Sequence, residues 1–156
     1  MEKSKNILVI MNKSIINLEG VDIKQIDRPV FKNITLKIEK GEFLYLIGDT
    51  GSGKSSLLKT LYAEIQANTG NISVANIDLR KIKPKEIPIL RRKLGIVFQD
   101  FQLLTDRNVA ENLDFVLKAT GWKNKKERSK RIAEVLNSVH LNGVKEKMPY
   151  ELSGGE

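Results

Sequence analysis

Gly48-Asp49-Thr50-Gly51-Ser52-Gly53-Lys54-Ser55 fits G-x-x-x-x-G-K-[ST], the phosphate-binding loop pattern of nucleotide-hydrolysing proteins. Before it stands Phe43-Leu44-Tyr45-Leu46-Ile47, an unbroken apolar run that predicts a strand buried on both faces of a parallel sheet. After it, Leu57, Leu58, Leu61, Tyr62 and Ile65 fall at helical spacing, which predicts a helix over 55–65. Strand, glycine-rich turn and helix form the context this motif requires. Gly48, Gly51 and Gly53 let the backbone curl until several N–H groups face a polyphosphate, with Asp49, Thr50 and Ser52 filling the turn. The helix that follows, opening through Ser55 and Ser56, adds the positive end of its dipole. Lys54 is placed to neutralise the outer phosphates, and the Ser55 hydroxyl to ligate Mg²⁺.

Working outward, Ser14 to Val21 and Val30 to Ile38 alternate apolar and polar residues, as half-buried antiparallel strands do, with a turn at Asp27-Arg28-Pro29. Residues 1–13 are read as an N-terminal extension. Ile72 to Ala75 predicts a short strand and Leu94-Gly95-Ile96-Val97-Phe98 a second buried one, separated by a basic stretch that Pro84 and Pro88 break. Gln99 to Leu104 reads as a loop. From Thr105 the pattern becomes amphipathic: Asn108 is a helix cap with Val109, Leu113, Val116 and Leu117 on one face. A further helix over 125–139 turns Ile132, Val135, Leu136 and Val139 inward. The organisation expected is an extension at 1–13, an α/β core at 14–104 and a helical subdomain at 105–156.

Composition narrows the classes. Forty per cent hydrophobic and 29% charged residues describe a folded domain rather than a disordered chain, and the chain has no cysteine for a disulfide or thiolate metal site. No apolar run approaches a membrane span, and Ile7 to Met11 is too short for a signal-peptide core. The net charge of +8 gathers in two clusters, Arg80 to Lys93 and Lys123 to Arg131. Neither is interleaved with aromatic residues, so a solvated basic face is favoured over attraction to anionic lipid, and no nucleic-acid partner is expected.

Three landmarks stand in order: the phosphate loop, Gln99 after the second apolar run, and Leu152-Ser153-Gly154-Gly155-Glu156 beyond a helical stretch. Together they resemble the ATP-binding-cassette (ABC) ATPases, as Walker A at 48–55, the Q-loop at Gln99 and the signature at 152–156. The resemblance implies a P-loop NTPase core with an N-terminal antiparallel β layer and a helical subdomain, and ATP with Mg²⁺ as cofactors. It implies that Gln99 positions Mg²⁺ and the attacking water, so Ser55 and Gln99 are the metal-facing residues. It also implies that Ser153, Gly154 and Gly155 reach the nucleotide of a second subunit, hence a homodimer or ABC-type dimer. Its loop at Gln99 would meet an integral membrane partner, placing the chain at the inner face of the bacterial plasma membrane. Within the family, Val97 to Leu104 and the Leu-Ser-Gly-Gly-Glu ending look most like the cell-division members. Lipoprotein-release and macrolide-export ATPases share most of the pattern.

Two departures matter. The family's aromatic adenine platform falls near Lys24, in Asp22-Ile23-Lys24-Gln25-Ile26, where no aromatic stands, so only an aliphatic stem could meet the base. The Walker B aspartate and catalytic glutamate would follow the signature, and no apolar run ending in Asp-Glu occurs upstream. His140 precedes the signature and is placed on a helix surface, so it cannot be the family's switch histidine. The expectation is therefore an N-terminal fragment with an incomplete sheet and apolar surface exposed beside the phosphate-loop strand, able to bind nucleotide but not to hydrolyse it. A nucleotide kinase would have no use for Leu-Ser-Gly-Gly. A chromosome-maintenance ATPase would carry sustained heptads where residues 105–151 have none. A non-catalytic interaction fragment stays open.

Overall fold

The computed structural model describes residues 14–25 and 28–156, so the extension at 1–13 and Asp27 of the expected turn lie outside it. The described residues up to Gly95 form one compact unit, and Ile96–Glu156 a second.

The first unit is built on a four-stranded sheet in the order β2-β1-β3-β4, with β1 at Ile16–Gln25, β2 at Arg28–Ile38, β3 at Asn71–Val74 and β4 at Ile77–Asp78. All pairings are antiparallel: Ile16 opposes Ile38 on one side and Val74 on the other, and Leu18 opposes Leu36 and Ile72. The alternation read from the sequence sends Leu18, Val21, Ile23, Ile72 and Val74 inward, where they meet Leu57 of helix α1 (Lys54–Leu61) and Leu90 of the short α2 (Ile87–Arg91). β3 and β4 meet in a turn where Ala75 and Asn76 are both left-handed. Gly70 cannot be replaced quietly. It has φ +76°, and an added Cβ would stand 2.4 Å from the Gly20 carbonyl oxygen, so the 68–70 turn lies directly against β1.

The two apolar runs expected to form buried strands do neither. Residues 43–47 and 94–98 have no regular structure, and Phe43, Ile47 and Val97 are 78%, 88% and 94% exposed. A strand buried on both faces needs neighbours that complete its hydrogen bonds and cover both its surfaces, and none is present among the described residues. Among the described residues the sheet is the antiparallel layer alone, and apolar surface beside the phosphate loop is exposed. Phe43 and Tyr45 meet edge to face instead, centroids 4.8 Å apart. α1 is also shorter than its periodicity suggested: it closes at Leu61, Ala63 turns left-handed, and Leu58 faces solvent.

The second unit is a pair of helices, α3 (Val109–Ala119) and α4 (Lys125–Ser138), over a core of Ile132, Leu136 and Val144 that Val109, Leu113, Leu117 and Leu152 complete. Asn108 caps α3 in a capping box with Glu111, and the next two amides donate to the Lys147 and Lys145 carbonyls, so the helix start is satisfied. Val116 and Val139, expected on the apolar faces, are exposed instead. Leu117 takes the inward place beside Val116, and α4 ends at Ser138 before Val139. His140 is not on a helix: it sits in the turn after α4 with φ +60°.

Several cations of the two basic clusters are tethers. Arg80 and Arg91 donate to the Ala67 and Tyr62 carbonyls, and Lys93 to that of Ala75. Buried Arg128 spans Asp114 and the carbonyls of Trp122 and Lys123, tying α4 to α3 and to the turn between them. Lys118 and Arg128 hold the Asp114 carboxyl below its ordinary value of 3.8. A depressed folded value means that this contribution is complete above the unfolded value and disappears as pH falls through the folded one. In thermal melts from pH 6 to pH 2.5, the unaltered chain therefore loses stability on acidification below about pH 4, and Asp114→Asn gives the flatter profile. At pH 7 the same variant is less stable by about 1–2 kcal/mol, because Arg128 keeps only its neutral partners.

Candidate functional site

Of the strand, turn and helix expected around the phosphate loop, the turn and the helix form and the strand at 43–47 does not. Gly51 and Gly53 are left-handed, at φ +83° and +94°, and Gly53 is the N-cap of α1. The Ser52 N–H closes a turn onto the Asp49 carbonyl at 3.1 Å, and the Leu57 N–H begins the helix on the Gly53 carbonyl at 3.0 Å. No side chain caps α1 and its first turn carries no acidic residue, so its dipole meets no carboxylate there. Lys54 curls back over the loop: its ammonium donates to the Gly48 and Asp49 carbonyls at 2.7 Å each and to Ser52 Oγ at 3.4 Å. A lysine ammonium has three donors, and all three are used within the loop.

Gly53 is fixed by its neighbours as well as by its dihedral. An added Cβ would lie 2.3 Å from Val30 Cγ1 and 2.8 Å from Phe31 Cε2, so the neck of the loop rests on β2. Ser55 is exposed at the helix start, free to face a metal, while Ser56 is buried and its hydroxyl donates to Gln25 Oε1 at 3.2 Å. Gln25, Val30 and Phe31 therefore position the loop although the sequence reading passed over them. Their contacts join residues distant in the chain, and no local pattern marks them. Lys24, the platform position, is exposed near the end of β1, and its N–H is held by Asn68 Oδ1 at 2.9 Å.

Gln99 and Ser153 to Gly155 belong to the second unit. Gln99 is exposed at the head of an irregular loop in which Phe101 and Gln102 are both left-handed, at φ +55° and +49°. Leu152 anchors the signature in the helical core, and beyond it Ser153 donates through both N–H and Oγ to Glu156 Oε2, at 2.9 and 2.8 Å. These two bonds hold the Glu156 carboxyl below its ordinary value. Ser–x–x–Glu with the serine N–H on the glutamate is half of a helix capping box. Gly154 and Gly155 are exposed.

A glycine-rich loop laced by its own lysine and opening into a helix is the phosphate-loop arrangement of the P-loop NTPase class. The ABC transporter family matches residues 31–156, and the chain belongs to that family. Its curated relatives include the cell-division ATP-binding protein FtsE of Streptococcus pneumoniae serotype 2, 39% identical over 145 residues, which are 92% of this chain and 62% of that protein. Another is the methionine import ATP-binding protein MetN of Halalkalibacterium halodurans, 38% identical over 91% of this chain and 43% of that protein. Among solved structures, the bacterial ATP-binding cassette MJ0796, a dimer in a post-hydrolysis state with ADP and Pi, is 31% identical with a TM-score of 0.76 over 90% of this chain and 64% of its own. The chain thus spans a little under two thirds of its FtsE relative.

Steric crowding and backbone strain separate at two glycines. Gly51→Ala meets nothing within 4 Å and bears only the left-handed penalty, about 1 kcal/mol. Gly53→Ala adds the clash with Val30 and Phe31, so in denaturant titrations it is the more destabilising by about 1–3 kcal/mol.

Proposed function

We propose that this chain is the ATP-binding part of an ABC-type complex of the cell-division kind, FtsE-like, that couples nucleotide to an FtsX-like integral membrane permease. The observation that carries the reading is the loop at 48–55 with the Lys54 ammonium at its centre, on carbonyls a polyphosphate would displace. Bonds from an ammonium to neutral carbonyls are weaker than those to phosphate oxygens, so the exchange is favourable. The donor set fits Mg·ATP: N–H groups of the loop and first helical turn, one ammonium, and an exposed Ser55 hydroxyl at the helix start. Bound Mg²⁺ supplies charge neutralisation across the phosphate oxygens. Gly48 to Gly53 orient the phosphates, with Ser56 setting the helix behind them, and Lys54 neutralises their outer end. The exposed Ser55 hydroxyl would face the metal, and by resemblance to the family Gln99 is assigned the second metal-facing role and the attacking water.

Ser153, Gly154 and Gly155 act in trans in this proposal, completing the site of a second copy in a homodimer. The dimeric MJ0796 cassette supports that reading. Among the described residues no helix is long and apolar enough to cross a membrane. The peripheral place on the inner face of the bacterial plasma membrane is carried over from the family likeness. The likeness to MetN favours a second reading, the ATP-binding subunit of a transporter. A lipoprotein-release or macrolide-export ATPase is the variant the sequence also allows. Co-purification with an FtsX-like permease, against a methionine-type permease, separates these.

Lys54→Ala weakens binding of Mg·ATP by at least about ten-fold in equilibrium titration. Lys24→Tyr gives the base a stacking face and strengthens ATP binding by about ten-fold. In a phosphate-release assay, residues 1–156 alone show no steady-state turnover, whereas a version extended through a Walker B strand does. Equal rates would refute the assignment of hydrolysis to that strand.

A further inference from the structure

The β1–β2 ladder sets Gln25 directly opposite Arg28. Residues opposite one another in an antiparallel pair send their side chains to the same face. That face is turned to α1, because Gln25 Oε1 accepts from the hydroxyl of Ser56, in the first turn of the helix, at 3.2 Å. The hairpin therefore borders the phosphate loop twice, through this bond and through Val30 and Phe31 against Gly53. A nucleotide anchored on the loop by its phosphates carries its base one ribose beyond them, and Gln25 and Arg28 are exposed beside the helix start.

The polar atoms this pair leaves open are of one kind. With its oxygen turned to Ser56, Gln25 presents outward the two N–H groups of its amide nitrogen. Arg28 presents a planar fork of five N–H donors and has no acceptor. Among the described residues no ion pair or further side-chain hydrogen bond engages either group. Guanine and hypoxanthine carry two adjacent acceptors, O6 and N7, whereas adenine sets an amine donor at N6 beside its N7. A wall of donors matches the first edge and opposes the second.

We infer that Arg28, aided by Gln25, reads the 6-position of a purine, so that this chain takes a 6-oxopurine nucleotide, GTP, more tightly than ATP. The inference rests on the proposed polyphosphate cradle at 48–55, which holds either nucleotide by the same phosphates. Arg28 is then a specificity-determining residue, and ATP binds through its phosphates with no help from its base edge.

The test is equilibrium titration of the whole chain with the Mg²⁺ complexes of GTP, ITP, ATP and inorganic tripolyphosphate. ITP has the O6 of guanine without its N2 amine, and tripolyphosphate has no base. GTP and ITP are expected to bind at least about five-fold more tightly than ATP. Arg28→Ala brings both down to the level of ATP and leaves tripolyphosphate unchanged. Arg28→Lys, which keeps the charge without the fork, loses the preference too. Gln25→Glu keeps the acceptor for Ser56 but sets an oxygen where the amide nitrogen stood, so it narrows the preference with the helix start intact. ATP bound as tightly as GTP by the unaltered chain overturns the inference. So does a preference that survives in Arg28→Ala, or a loss of tripolyphosphate binding in that variant as large as its loss of GTP. Binding of none of the four ligands overturns the polyphosphate cradle itself, and the inference with it.

Discussion

The first unit depends on a backbone that reverses within a few residues and must still find partners for its polar groups. Between Gly48 and Lys54 the chain passes through two left-handed glycines, and the carbonyls of Gly48 and Asp49 receive the Lys54 ammonium. The same lysine begins α1, so the turn, the cation and the helix dipole share one origin. Behind them Val30 and Phe31 of β2 close against Gly53, and Gln25 at the end of β1 holds Ser56. The antiparallel layer is therefore the bed on which the loop is shaped.

The second unit solves a similar problem with side-chain amides. Asn108 and Asn112, one turn apart on α3, face different backbone groups: one caps its own helix, the other secures the loop before it. Arg128 does for the α3–α4 turn what Asn112 does for the Gln99 loop, spending a buried cation on two carbonyls and one carboxylate. The basic residues that first suggest an anionic partner are thus divided between solvent and the interior, and net charge alone describes them poorly.

What was legible in the sequence was local. The phosphate loop, the Asn108 cap and the alternation of β1 and β2 each concern residues within a few positions of one another, and each forms. What was not legible depends on distant partners. Residues 43–47 have the composition of a buried strand, but burial belongs to a strand together with its neighbours, and here Tyr45 and Ile47 face solvent. The contacts of Gln25 with Ser56, and of Val30 with Gly53, join residues more than a helix length apart in the chain and leave no periodic trace. Asn112 looked like a polar residue on an amphipathic helix. Its burial and its hold on Leu104 could be recognised only once the loop's path was known.

The central claim is that backbone amides at 48–57 and the Lys54 ammonium form a polyphosphate cradle. Backbone ¹⁵N–¹H spectra recorded during titration with Mg·ATP test it most directly. The account predicts saturable shifts that are largest at Gly51, Gly53, Lys54 and Ser55. Shifts confined to the basic stretches around Lys83 and Lys125, with the loop amides unmoved, would contradict it.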